Sequence, residues 1–126
     1  MRPTDEALVS AARQVKEKAY APYSHFSVGA AVDGDDGKVY TGCNVENGSY
    51  GLTSCAERNA VFAAVAAGCR KIYSVAVVAD EDYTLPCGAC RQVLAEFSAE
   101  RIILTAKDGR YRVVKATELF PQPFSL

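Results

Sequence analysis

The chain has almost no net charge, no long apolar run and a single histidine. Lys and Arg number 14 against 15 Asp and Glu, a net charge of −1, so the electrostatic excess of proteins that grip phosphate backbones is missing. A long nucleic acid is not an expected partner. The longest uninterrupted apolar stretch, Ala60 to Ala67, falls far short of the roughly 20 residues that a bilayer span needs. Residues 1–20 form an amphipathic segment without the apolar core of a signal peptide, so no membrane partner and a cytoplasmic location are expected. His25, the one histidine, reads as a surface loop residue. The cysteines number 5, an odd count, and in a reducing compartment they read as thiolates with chemistry to perform rather than as a disulfide set.

What is present suits one globular domain over residues 1–126, because two domains of ordinary size need roughly 200 residues or more. Apolar residues at 49% and charged residues at 23% exclude disorder. Between Thr4 and Tyr20 the apolar residues recur every three to four positions, with Asp5 and Glu6 in the first turn, which predicts a surface helix with one buried stripe. Phe26 to Val32 alternates, and Asp33-Gly34-Asp35-Asp36-Gly37 supplies a turn before Lys38 to Cys43, the pattern of a hairpin. Ser54 to Ala67 is apolar almost all round and predicts a central helix, with Ser54 as N-cap and Gly68 as stop. Ile72 to Ala79 predicts a strand covered on both faces inside a parallel sheet. A second helix follows Pro86, from Gly88 to about Phe97, then a strand at Ile102 to Ala106, an edge strand near Tyr111 to Val114 and a short helical piece near Ala116 to Phe120. This order predicts an α/β fold, a three-layer α/β/α sandwich with a five-stranded mixed sheet.

Chemistry gathers at two helix starts. Cys55-Ala56-Glu57 opens the central helix and Pro86-Cys87-Gly88-Ala89-Cys90 opens the next. Helix N-termini lower thiol pKa, so Cys55, Cys87 and Cys90 can converge as thiolates on a Zn2+ ion. Three protein ligands match an open, catalytic zinc, whereas structural sites are usually closed by four. Glu57, in the first turn, can reach the open position as a general base. Zinc with three thiolates carries a formal charge of about −1 and calls for a nearby cation. Arg58 and Arg91 are the candidates, Arg58 being better placed to hydrogen-bond the sulfurs. The competing reading is a structural zinc knot completed by Cys43, Cys69 or His25.

The joint pattern resembles the zinc nucleoside and nucleobase deaminases, and more narrowly the small cytidine deaminases. The motifs run along most of the chain: Ala21-Pro22-Tyr23-Ser24, Phe26-Ser27-Val28-Gly29-Ala30, Gly42-Cys43-Asn44-Val45-Glu46-Asn47, Cys55-Ala56-Glu57-Arg58 and Pro86-Cys87-Gly88-Ala89-Cys90-Arg91-Gln92. The resemblance implies zinc on Cys55, Cys87 and Cys90, with Glu57 as proton shuttle. Asn44 and Glu46 are implied to bind ribose hydroxyls, Phe26 to pack on the pyrimidine and the Ala56 N–H to take the base carbonyl. Tyr50 is implied near the sugar across a subunit boundary, and Phe124 over a neighbour's site, in a homotetramer with shared active sites. The implied reaction is hydrolytic deamination of cytidine and deoxycytidine in pyrimidine salvage. A superfamily deaminase for another substrate, and a non-catalytic zinc-stabilised module, are the two alternatives.

Overall fold

The computed structural model describes residues 2–126. Thr4 begins helix α1 (Asp5–Lys16) by accepting the Ala7 N–H on its hydroxyl at 3.1 Å, with Asp5 and Glu6 in the first turn. The helix stops short of Tyr20 because the Tyr20 backbone is taken elsewhere. Its N–H donates to Asn44 O at 3.0 Å and its carbonyl accepts from Glu46 N at 2.8 Å, so the 3.6-residue pattern outlasts the helix.

The strands are β1 (Val28–Gly34), β2 (Val39–Cys43), β3 (Ile72–Ala79), β4 (Arg101–Thr105) and β5 (Tyr111–Lys115), in spatial order β2-β1-β3-β4-β5. β1 is antiparallel to both neighbours, β3 and β4 are parallel, and β5 returns antiparallel at the edge. The sheet is mixed, and β3, expected inside a parallel sheet, has one parallel and one antiparallel partner. Antiparallel pairing on both sides of β1 leaves β2 and β3 running the same way. Their carboxyl ends, Cys43 and Ala79, therefore lie at one sheet edge, opposite Gly29 and Val28.

Successive strand residues face opposite layers. Ala31, Ala76, Val78 and Ile103 pack against Leu8, Val9 and Ala12 of α1. Ala30, Val32, Val75, Val77, Ile102 and Leu104 pack on the other side against α2 (Ala56–Ala66) and α3 (Gly88–Glu96), with a last short helix α4 (Ala116–Leu119). Those three layers are the expected α/β/α sandwich. Gly42 allows α2 to sit directly on β2, since a Cβ there would collide with the backbone of Ala56, Asn59 and Ala60. Gly68, at φ +108°, ends α2 as expected: Cys69 N bonds Ala64 O and Gly68 N bonds Val65 O, both at 3.0 Å. Ser54 is not the N-cap. Its backbone pairs with Val45 through two 2.9 Å bonds, its hydroxyl donates to Asn59 Oδ1 at 2.7 Å, and Cys55 takes the cap position.

Candidate metal centre

The β2 and β3 ends deliver the chain into two helix starts at the same sheet edge. Cys55 is the N-cap of α2, Cys87 the N-cap of α3, and Cys90 lies in the first turn of α3. Neither N-cap thiol caps a backbone N–H of its own helix, so both are free to face each other. Cys55 Sγ lies 3.8 Å from Cys87 Sγ, and Cys87 Sγ 3.4 Å from Cys90 Sγ, with all three sulfurs within 4.8 Å of one another. With Zn–S bonds of about 2.3 Å, two sulfurs of a tetrahedral site stand about 3.8 Å apart, so the trio fits a zinc ion. Among the described residues no other histidine, cysteine or carboxylate joins the group. Cys43, Cys69 and His25 therefore stand outside it, as an open site requires and against the competing reading of a closed knot. Cys69 is buried in the core cluster, where loss of hydration pushes its thiol up.

The electrostatics also call for a cation. The Cys55 thiol is pulled down to about 5, first by a hydrogen bond from Cys90, then by Arg58 and Cys87 against its burial. Cys90 moves the other way, upward, as donor to Cys55 and as a buried group facing the Glu57 charge. Three adjacent thiols cannot all ionise against one another without a positive charge among them. Arg58 supplies part of it: its Nη2 donates to Cys55 Sγ at 3.2 Å, and that contact raises the guanidinium pKa. Arg91, the other candidate cation, is engaged elsewhere, donating to Pro86 O at 2.8 Å and Leu119 O at 2.9 Å. Glu57, only 5% exposed, has its carboxyl pushed up to about 7, chiefly by burial, with the Cys55 charge adding and its own N–H and Arg58 opposing. Ala56 opens α2, so its N–H is one of the four that the helix leaves without an intrahelical acceptor.

Asn44 and Glu46 sit beside this centre but are more tightly committed than loop residues reaching for a diol. Asn44 Oδ1 accepts from Val28 N at 2.9 Å and its Nδ2 donates to Phe26 O at 2.8 Å. Glu46 Oε1 accepts the N–H groups of Tyr23 and Ser24, and Oε2 accepts the Ser24 hydroxyl. Both side chains thus hold the segment that carries Phe26, which is half-buried and precedes β1. A depression of about 380 Å³ opens next to them, lined by Tyr23, Ser24, Glu46, Tyr50 and Thr53. Tyr50 is 74% exposed and meets Tyr23 edge-on at 5.9 Å. Phe124 lies far along the chain with an exposed ring, while its N–H and carbonyl are both clamped by the Gln92 amide at 3.0 Å. Sequence reasoning passed over Asn59, whose Nδ2 donates to Cys43 O at 2.8 Å and ties the α2 start to the β2 end. It gave no signal because its partner is 16 residues away.

A family profile, the cytidine and deoxycytidylate deaminase zinc-binding region, matches residues 2–106. The cytidine deaminase of Sporosarcina psychrophila is 46% identical over 123 residues, spanning 95% of this chain and 90% of that protein. A crystal structure of cytidine deaminase from Burkholderia pseudomallei is 50% identical, with a TM-score of 0.89 over 97% of this chain and all of that one. That from Mycobacterium tuberculosis is 41% identical, with a TM-score of 0.83 over 98% of this chain. A thiol trio at two helix starts, a buried glutamate beside it and end-to-end similarity converge: the chain belongs to the cytidine and deoxycytidylate deaminase zinc-binding family.

Proposed function

We propose that this protein deaminates cytidine and deoxycytidine hydrolytically to uridine and deoxyuridine, releasing ammonia in pyrimidine salvage. The observation that carries the reading is the trio of sulfurs within 4.8 Å at two helix starts, with Glu57 buried beside it, in a chain 46% identical to a cytidine deaminase. Cys55, Cys87 and Cys90 would hold Zn2+, which supplies Lewis acidity that makes water a usable nucleophile at neutral pH. Glu57 takes a proton from the attacking water and delivers it to ring N3, so that C4 becomes electrophilic. The same carboxyl then passes the second proton to the amino group on C4, which departs as ammonia. Water and cytidine are consumed and uridine and ammonia formed, with no redox change. Arg58 offsets the negative charge of the thiolates through its bond to Cys55.

In this reading Phe26 packs on the pyrimidine, the Ala56 N–H takes the base carbonyl, and Asn44 and Glu46 take the ribose hydroxyls. Hydrogen-bond capacity supports that last role. A carboxylate offers about four acceptor sites, of which Glu46 uses three, and Asn44 retains one N–H and one lone pair. A homotetramer with shared sites is part of the proposal: Tyr20, Tyr23, Val45, Tyr50 and Leu52 are exposed, and Tyr23 and Tyr50 line the depression beside Glu46. Tyr50 would lie near the sugar across a subunit boundary, and the outward ring of Phe124 over a neighbour's site. Residues 1–126 are read as a single domain, since both core clusters share one sheet. No described helix is long and apolar enough to cross a membrane, and the cysteines are all free thiols, which suits a reducing cytoplasm.

Incubating zinc-loaded protein with cytidine, deoxycytidine, cytosine and adenosine, and following the ultraviolet absorbance of each, tests the reading. Turnover of the two pyrimidine nucleosides alone is expected. Turnover confined to cytosine or adenosine assigns the site to a different deaminase, and none with any of the four leaves a non-catalytic zinc module.

A further inference from the structure

The start of β1 is held on its second side by a group outside every recognised motif. Val28 pairs with Ala79 at the last rung between β1 and β3, and the next residues outward are Ser27 and Asp80. There the ladder's main-chain acceptor is replaced by a side chain: Ser27 N donates to Asp80 Oδ2 at 2.8 Å. The other oxygen, Oδ1, is paired with Lys16 Nζ at 2.7 Å, the lysine side chain being only 19% exposed. Lys16 reaches it because the last turn of α1 lies directly on β1; a Cβ on Gly29 would collide with Ala12 O and with Lys16. The Lys16 contact, followed by the Ser27 N–H, holds the Asp80 carboxyl below its usual range. Asn44 grips Phe26 O and Val28 N from one side, and the Lys16–Asp80 pair grips the intervening Ser27 N–H from the other.

We propose that Asp80, oriented by Lys16, is a positioning residue for substrate: by fixing the Ser27 N–H it sets where the Phe26 ring stands. This rests on Phe26 being the side chain that packs on the pyrimidine. Asp80 touches no reacting atom, so its loss weakens binding of ground state and transition state alike, which raises KM and leaves kcat.

The chain has no tryptophan, so Phe26→Trp creates a single fluorescent reporter on the segment itself. In that background, Asp80→Ala is expected to raise acrylamide quenching of the indole at least about twofold, while Asp80→Asn, which keeps a carbonyl acceptor, restores most of the protection. In the Phe26 enzyme, Asp80→Ala is expected to raise the KM for cytidine roughly tenfold with kcat within about twofold, and Lys16→Met to raise it by a smaller factor. Zinc per chain and the thermal midpoint, measured on each variant, separate positioning from unfolding. Unchanged quenching in Asp80→Ala overturns the proposal, as does an unchanged KM or a loss confined to kcat and zinc. Should Asp80→Ala unfold, Asp80→Asn and Lys16→Met decide it on the same readouts. If the parent enzyme turns over no cytidine, the proposed function fails, and with it the substrate role; the quenching series still decides separately whether Asp80 anchors the segment.

Discussion

Glu57 shows how environment assigns a role to a residue type. A carboxylate two positions after a cysteine is ordinary; one that is 5% exposed and pushed up to about 7 by burial and the Cys55 charge can hold a proton. Glu57→Gln keeps the shape and removes the proton carrier. Deamination is expected to fall about 10²–10⁴-fold with zinc per chain unchanged, as read by steady-state rates and elemental analysis. Retention of more than a few percent of the rate refutes the shuttle. The residue types were legible because the chemistry is written in adjacent positions, Cys55-Ala56-Glu57 and Pro86-Cys87-Gly88-Ala89-Cys90. The separate fates of Arg58 and Arg91 were not: each directly follows a candidate group in sequence, yet one guanidinium meets a sulfur and the other two carbonyls. Only the azimuth of each residue on its helix distinguishes them.

Helices and strands are placed by contacts whose loss should be felt at the metal centre. Gly42→Ala puts a methyl group into the backbone of α2, at an expected cost of about 1–3 kcal/mol in denaturant unfolding, and because α2 carries Cys55, zinc retention should fall with it. Full stability and full zinc in that variant would mean the β2–α2 contact is slack. A second contact fixes α1 against β4: Arg101 Nη1 and Nη2 meet Asp5 Oδ1 and Oδ2 at 2.8 and 2.7 Å. That fork holds the Asp5 carboxyl below its usual range. A folded pKa below the unfolded one means the pair stabilises above the ordinary aspartate range and that the benefit is lost as pH falls through the lowered value. Asp5→Asn is expected to destabilise by about 1 kcal/mol at pH 7, the pair being partly exposed, with the difference vanishing in the most acid melts. An equal deficit at all pH values would rule out the charge as its cause. Strand and helix positions were readable from periodicity to within a few residues, and the errors cluster where another segment intervenes. Tyr20 and Ser54 lost their expected helical roles to the same stretch, residues 44–46, which bridges both.

The proposed assembly is argued from a surface that a lone subunit leaves apolar. Tyr50, which lines the depression beside Glu46, is 74% exposed and Leu52 69%, so covering them with other subunits would both remove apolar area from water and wall the proposed site. Light scattering on the purified protein is expected to give four times the single-chain mass. Leu52→Asp costs little within an isolated subunit, where the side chain already meets water, but would bury a charge in the proposed interface. It should lower the mass and the activity together; an unchanged mass would rule Leu52 out of the proposed interface. A cavity of about 570 Å³ between α3, α4 and the C-terminal prolines contains none of the three cysteines, so size alone does not locate the chemistry in this fold.

The donor set, the proposed general base and the succession of helices and strands were all present in the linear chain, because each depends on spacings of a few residues and on 3.6- or 2-residue periods. Pairings across long separations were decided by folding. The antiparallel place of β1 between β2 and β3 brings Cys43, Ala79 and two helix starts to one edge, and the Phe26 segment there is gripped by Asn44 from 18 residues away, while Asp80 holds its Ser27 N–H from 53. Such contacts carry no local signature; they satisfy main-chain groups beyond the sheet's last rung, and only the folded chain brings the partners there.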